Sequence, residues 1–159
     1  MNDLPESAQR VADAAKAAGL AVDVREMGES TRTAEEAAAA CGCDVGQIVK
    51  SLIFRGATSG NPVLLLVSGR NRVDETGVKG HIGEALSRPD AAYVRTITGY
   101  AIGGIPPLGH PVPIATYMDK DLMQYDRIFA AAGTPRAIFG VAPAALRDAV
   151  QAKVIAMKS

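Results

Sequence analysis

The stretch "GQIVKSLIFRGATSGNPVLLLVSG", residues 46–69, has the clearest structural signal in the chain. Two apolar runs flank a segment of Gly, Thr, Ser, Asn and Pro, a composition that is typical of a turn. The stretch therefore predicts a β-hairpin whose first strand covers residues 48–54. Lys50 lies in the middle of that strand, on the same face as Ile48 and Leu52, because side chains alternate along a strand.

The position of Lys50 among apolar residues has two explanations, since lysine is seldom fully buried without a partner. In the first, the side chain lies at a sheet edge, its stem covers apolar neighbours and its ammonium reaches water. In the second, the ammonium lies at the floor of a cleft and binds a phosphate, a carboxylate or a polarised carbonyl. A desolvated lysine could also lose its proton and act as a base or nucleophile. The residues alone leave these alternatives open.

Helices are predicted on both sides of the hairpin. Apolar spacing predicts a helix over residues 6–18 that Gly19 ends, and Thr33 with Glu36 forms a capping-box pattern for a second helix that Gly42 ends. Alternation predicts a strand over residues 20–26. Further elements are a helix capped by Asp74 with Val78, Ile82 and Leu86, a helix capped by Asp90 and ended by Gly99, strands within 112–118, 127–133 and 136–142, and a helix over 143–150.

The arrangement of these elements predicts the fold class. Helices and hairpins alternate without a regular βαβ rhythm, so the chain is expected to be an α/β protein of the α+β type. We expect a single domain, residues 1–159, with a mixed, mainly antiparallel central sheet surrounded by helices.

Composition excludes several classes of protein. The 17 basic and 17 acidic residues give a formal net charge of zero, which argues against a broad basic surface and a DNA partner. The longest aliphatic run covers only residues 63–67, and the N-terminus lacks the order of a signal peptide, so we expect a cytoplasmic protein without a membrane partner. Cys41 and Cys43 are too close for an easy disulfide and lack zinc-finger spacing with His81 and His110, so neither a metal site nor a cofactor is expected.

The segment "GYAIGGIPPLGHP", residues 99–111, is the second candidate site, since the chain lacks the standard catalytic motifs. Glycine backbone can approach a ligand closely, and the adjacent Gly103 and Gly104 could point N–H groups at an anion or a developing oxyanion. Pro106 and Pro107 stiffen the segment. The alternative is an ordinary long surface loop.

These residues also carry a resemblance to a known family. Residues 47–51 fit a Q-I-x-K-[ST] strand, residues 68–74 fit an S-G-x-x-R-x-D strand exit, and residues 98–104 fit a T-G-[YF]-x-x-G-G loop. Together with "TAEEAAAACG", "MDKDL" and "AAAGTPRAIF" in the same order, they resemble the YbaK/prolyl-tRNA-synthetase-associated editing domain over residues 30–150. No synthetase catalytic or anticodon-binding domain accompanies the match, so the resemblance implies a stand-alone, trans-acting editor.

The resemblance implies hydrolysis of the ester between a wrongly chosen small amino acid, such as Ala or Cys, and the 3′-terminal adenosine of tRNA(Pro). It places Lys50 at the terminal phosphate or the ester, and the Gly103 N–H at the oxyanion. The expected partners are the acceptor end of aminoacyl-tRNA and a synthetase. The implied substrate-binding residues are Ser51, Asn71, Gly99, Gly104, Pro106 and His110.

Two departures from the family pattern bear on specificity. Residues 103–109 are GGIPPLG where many relatives have G-G-x-S-P-x-G, and residues 133–139 depart from the relatives' G-x-R-G pattern. The resemblance then implies a more apolar pocket, suited to alanine or a similarly small residue.

Several roles and functions stay open. Ser51 faces the pocket mouth or makes a structural hydrogen bond, His110 touches substrate or ties the loop to itself, and Arg70 and Arg72 meet phosphates or are solvated. The alternative functions are a non-catalytic module that binds the aminoacyl end of tRNA or a synthetase, and an enzyme that forms a Schiff base on Lys50.

Overall fold

The computed structural model describes residues 4–158, and in this range the chain forms one mixed sheet. The strand order is β1-β7-β6-β2-β3-β5-β8, with β4 paired to β2 beside this path. The strands are β1 Arg25–Glu26, β2 Ile48–Gly56, β3 Pro62–Ser68, β4 Leu86–Ser87, β5 Ala115–Asp119, β6 Ile128–Ala131, β7 Ala137–Val141 and β8 Lys153–Ile155.

The predicted hairpin is the centre of the sheet. β2 and β3 pair antiparallel over seven residues, from Val49 opposite Ser68 to Arg55 opposite Pro62. β1–β7, β2–β4 and β6–β7 are also antiparallel, whereas β2–β6, β3–β5 and β5–β8 are parallel. The mixed sheet and the fold class are therefore confirmed.

Helices cover the sheet, and their ends follow the signals in the sequence. Thr33 forms both hydrogen bonds of a capping box with Glu36, and Asp90 accepts from the Tyr93 N–H at 2.8 Å. None of the helices within residues 4–158 has the length and apolar character needed to cross a membrane. The α-helices are α1 Glu6–Ala17, α2 Ala34–Cys41, α3 Glu75–Ile82, α4 Ala91–Thr98 and α5 Pro143–Val150, with 3-10 turns at Val45–Gln47 and Lys120–Gln124.

Three local predictions differ from the structure. The strand predicted over residues 20–26 is confined to β1, because only Arg25 and Glu26 find partners on β7, although Leu20 and Val22 pack against the core as their alternation suggests. Leu86 is not helical: Gly83 ends α3 in the left-handed region, and Leu86 pairs with β2 instead. Asp74 precedes α3, but its side chain makes no capping hydrogen bond.

The two faces of β2 belong to different apolar clusters. Val49 and Ile53 lie in the large core beneath α1 and α5. On the opposite face Ile48 packs with α2, whereas Phe54 packs with Val78 of α3. Lys50 lies between these last two clusters, so the alternating pattern places its side chain in the gap between α2 and α3.

Candidate active site

Two cavities meet along β2. The first, of about 340 Å³, opens beside the start of α2 and is called the narrow cavity. The second, of about 630 Å³, opens towards α4 and is called the wide cavity. Both are lined by Lys50, Ser51, Leu52 and Ile105. The segment 50–52 is therefore the shared boundary of two spaces that a ligand could occupy together.

Lys50 is half-buried at this boundary, and its Nζ donates a hydrogen bond to the backbone carbonyl of Asn71. Since β2 lies between β6 and β3, the sheet-edge explanation for Lys50 does not apply. Burial lowers the pKa of Lys50 below its usual 10.5, Glu35 and Asp119 act to raise it, and Arg72 acts to lower it. No ion pair within the described range includes Lys50, so its ammonium can bind an anionic or carbonyl oxygen.

A buried carboxylate fixes the carbonyl that Lys50 contacts. Asp119 is fully buried, and its Oδ2 accepts from the Ser68 N–H at 3.0 Å and from Asn71 Nδ2 at 2.8 Å. Asn71 Nδ2 also donates to Asp121 Oδ2 at 2.8 Å. The side chain of Asn71 is thus occupied inside the protein and lines neither cavity, while its backbone orients Lys50.

Gly103 and Gly104 have different roles in the loop after α4. Gly103 lines the narrow cavity with φ +98°, and a Cβ there would lie 2.9 Å from Arg32 Cγ. No hydrogen bond among residues 4–158 uses the Gly103 N–H. Gly104 instead donates its N–H to Ala101 and accepts from the Gly133 N–H at 2.9 Å. Gly104 therefore anchors the loop, and Gly103 lines the cavity with an N–H that is free within the described residues.

The hydroxyl of Ser51 is the unexplained polar group at the boundary. Its Oγ is buried and has no hydrogen-bond partner among the described residues. Buried hydroxyls are normally paired, because an unpaired one costs about 1–3 kcal/mol. A ligand that reaches both cavities would pass this group.

Five of the six predicted substrate-binding residues line neither cavity, since only Ser51 does; besides Asn71 and Gly104, they are Gly99, Pro106 and His110. Gly99 ends α4, and its carbonyl accepts from Arg10 Nη2 at 3.1 Å. Pro106 is buried, and its carbonyl accepts from His110 Nε2 at 2.9 Å. The His110 ring also lies edge-on to Tyr100, so this histidine ties the loop to itself. These residues shape the loop from the side that faces away from Lys50.

The other arginine, histidine and cysteine side chains noted in the sequence lie in different surroundings. Arg70 forms an ion pair with Asp44, whereas Arg72 lines the wide cavity. His81 is exposed. Cys41 and Cys43 are free thiols, and burial raises the pKa of both, that of Cys43 to about 11. Within residues 4–158 no group of three His, Cys, Asp or Glu side chains could hold a metal ion.

Sequence reasoning missed four residues at the cavities. Arg32 and Glu35 line the narrow cavity, on either side of the Thr33 cap, and Arg88 and Ile102 line the wide one. The capping box predicts where α2 begins, and this signal in the sequence could have located Arg32 and Glu35. No local pattern points to Arg88. The rest of the narrow wall is mostly apolar, with Ile48, Ile105, Phe129 and Ile138.

Comparisons with known proteins identify relatives of the chain. The chain is 31% identical over 133 residues to YwhH of Bacillus subtilis, whose name assigns no activity, covering 83% of each protein. It is 30% identical over 122 residues to EbsC of Enterococcus faecalis, named as a candidate Cys-tRNA(Pro)/Cys-tRNA(Cys) deacylase, covering 74% of this chain and 72% of that protein.

A solved structure matches almost the whole chain. The crystal structure of a candidate trans-editing enzyme for prolyl-tRNA synthetase superposes with a TM-score of 0.93 at 45% identity, covering 99% of both chains. The family model for the aminoacyl-tRNA editing domain matches residues 28–149, which include β2 and the loop with Gly103. The chain therefore belongs to the aminoacyl-tRNA editing domain family.

Proposed function

We propose that this protein is an aminoacyl-tRNA deacylase that acts in trans, releasing a small amino acid such as alanine or cysteine from mischarged tRNA(Pro). One observation carries the proposal: Lys50, and Gly103 with an N–H that no hydrogen bond among residues 4–158 uses, line the same cavity of about 340 Å³. A cation and a backbone donor are the two groups that hydrolysis of an aminoacyl ester needs most.

The reaction requires little covalent chemistry from the protein. Water attacks the ester carbonyl, the tetrahedral oxyanion collapses, and the bond between the acyl carbon and the ribose oxygen breaks. The attacking water loses one proton, which the vicinal hydroxyl can relay to the leaving ribose oxygen, and the products are the free amino acid and tRNA. In this scheme Gly103 donates to the oxyanion, while Lys50 holds the terminal phosphate or the ester oxygen.

The walls of the narrow cavity support the proposal of a small amino acid. Ile48, Phe129 and Ile138 leave an apolar space, which favours a short side chain such as that of alanine. An apolar pocket separates substrates by only about 1–3 kcal/mol per methylene, so we expect more than one small aminoacyl group to be accepted. Ser51 lines this cavity and its buried hydroxyl has no partner among the described residues, which supports a role for Ser51 in binding the aminoacyl moiety. A synthetase is a further proposed partner.

The first prediction concerns Lys50. Lys50→Met keeps an unbranched stem but removes the ammonium, so we expect deacylation to slow at least about a hundredfold, as when a single stabilising donor is lost elsewhere. The measurement is release of labelled amino acid from a panel of alanyl-, cysteinyl-, seryl- and prolyl-tRNA(Pro). Lys79→Met, which alters an exposed lysine of α3 outside both cavities, is the matched control.

The same panel tests the alternative functions. Full turnover by a folded Lys50→Met protein would contradict the role of the ammonium. Saturable binding of charged tRNA without release above the spontaneous rate would instead identify a non-catalytic module. Borohydride trapping of a substrate on Lys50 would support the Schiff-base alternative.

A further inference from the structure

We propose that the wide cavity binds the terminal nucleoside of the tRNA together with its 5′-phosphate, and that Arg72 and Arg88 contact this nucleotide. The inference rests on the proposed function, because it assigns the second half of the same substrate. It adds a binding site to the one that contains Gly103.

The connection between the cavities gives the first argument. An aminoacyl nucleoside has two parts that a single ester joins, so the two parts must occupy adjoining spaces with the ester at their junction. The junction here is formed by Lys50, Ser51 and Leu52 on one side and Ile105 on the other. Lys50 and the orphan hydroxyl of Ser51 thus lie where the ester would be.

Size and surface give the second argument. The wide cavity has a volume of about 630 Å³, compared with about 340 Å³ for the narrow cavity. This order fits the substrate, because a nucleoside is larger than a small aminoacyl group. Pro89, Val94 and Ile102 provide apolar surface for a base. Ile102 is 55% exposed and is one of two large apolar side chains exposed in the described part of the chain. An apolar side chain at the rim of a cavity suits stacking against a planar base.

Charge gives the third argument. Arg72 lines the wide cavity and takes part in no ion pair within residues 4–158. Arg88 is 3.2 Å from Glu75 and lies over the Phe54 ring at 5.8 Å, with its side chain 75% exposed. Guanidinium groups bind phosphate and stack on planar rings. The narrow cavity is lined by both Arg32 and Glu35, and the carboxylate of Glu35 suits the substrate ammonium better than a phosphate.

Kinetics test the assignment through the variants Arg72→Ala and Arg88→Ala. We expect each to raise KM for a mischarged tRNA about tenfold and to change kcat less than twofold, because the arginines bind a part of the substrate that does not react. Arg95→Ala, an exposed arginine of α4 outside both cavities, should leave KM unchanged. Unchanged KM in both Arg72→Ala and Arg88→Ala would overturn the proposal.

Binding tests the site independently of turnover. With methyl-labelled protein, adenosine 5′-monophosphate should shift the resonances of Val73, Val94 and Ile102, and leave those of Ile48 and Ile138 in the narrow cavity unchanged. The trinucleotide CCA should bind at least as tightly, since it reproduces the tRNA end. Shifts confined to Ile48 and Ile138 would overturn the assignment, as would much tighter binding of the free nucleotide than of CCA. Shifts at Ile102 without deacylation of any tRNA would support the nucleotide site and contradict the proposed function.

Discussion

At the scale of single residues, the environment of Lys50 explains how an ammonium is kept inside an apolar strand. Burial disfavours the charged form, while the carboxylates of Glu35 and Asp119 favour it. Asp119 also holds Asn71, whose carbonyl accepts from Lys50. The fixed position of the ammonium thus depends on a hydrogen-bonded chain that begins at a fully buried carboxylate.

The titration of His110 predicts that the stability of the protein depends on pH. Burial lowers its pKa below the usual 6.5, against a smaller opposite effect of the hydrogen bond to Pro106. Above about pH 6.5 the ring is neutral in both folded and unfolded chains; as the pH falls below that value, the unfolded chain takes up the proton first. The free energy of unfolding should therefore decrease from about pH 6.5 down to the lowered pKa.

The variant His110→Gln should lose this part of the pH dependence, since an amide can replace the donor but does not titrate. The measurement is the thermal midpoint between pH 7.5 and 5.5, with His81→Gln, at an exposed histidine, as the control. Equal slopes for wild type and His110→Gln would contradict the prediction.

At the scale of elements, the loop 99–111 is positioned by its contact with the turn between β6 and β7. A Cβ on Gly104 would lie 2.8 Å from backbone atoms of Thr134, and neither segment can move without breaking the Gly133–Gly104 hydrogen bond. We expect Gly104→Ala to lower the free energy of unfolding by about 1–3 kcal/mol, the usual cost of overpacking. Deacylation should also slow, because Gly103 moves with its neighbour.

The matched control is Gly80→Ala in α3. Gly80 is exposed, and a Cβ there would meet no atom within 4 Å. Alanine in a helix is more stable than glycine by roughly 0.5–1 kcal/mol, so this variant should be slightly stabilised and fully active. Chemical denaturation measures both proteins, and a Gly104→Ala protein as stable as wild type would show that the loop is free to shift.

The same elements show which features a sequence reveals. The hairpin and the capped start of α2 depend on neighbours in the chain, so alternation and the Thr33–Glu36 pair predict them correctly. The direction in which the loop 99–111 faces depends on Thr134, a contact that no local pattern encodes. For this reason the sequence indicated Lys50 and the loop as candidates, but could not separate Gly103, which lines the narrow cavity, from Gly99 and His110, which line neither cavity. β8 was missed because its three residues pair only with β5.

At the scale of the whole molecule, the sheet order assembles the site from distant parts of the chain. β2 is central, with the start of α2 on one side and the segment around Arg88 on the other, so the two cavities open from one strand. The proposed ester position then requires no movement of a domain. It requires only that three segments keep their relative positions: β2, the residues after β3 at Asn71, and the loop at Gly103.

The charge of the whole molecule leads to the last prediction. The formal net charge is zero, so the proposed nucleotide site predicts that attraction to tRNA comes mainly from the local pair Arg72 and Arg88 rather than from a broad basic face. Each neutralised phosphate on a single strand contributes about −0.7 to the slope of log K against log salt, so the one phosphate of the proposed site lowers the affinity only about two- to threefold between 50 and 200 mM salt. Titration of uncharged tRNA across this range measures the slope, and the double variant Arg72→Ala, Arg88→Ala should bring it close to zero. A loss of a thousandfold or more in the wild-type protein would indicate a much wider contact with the tRNA body and would contradict binding that is confined to its end.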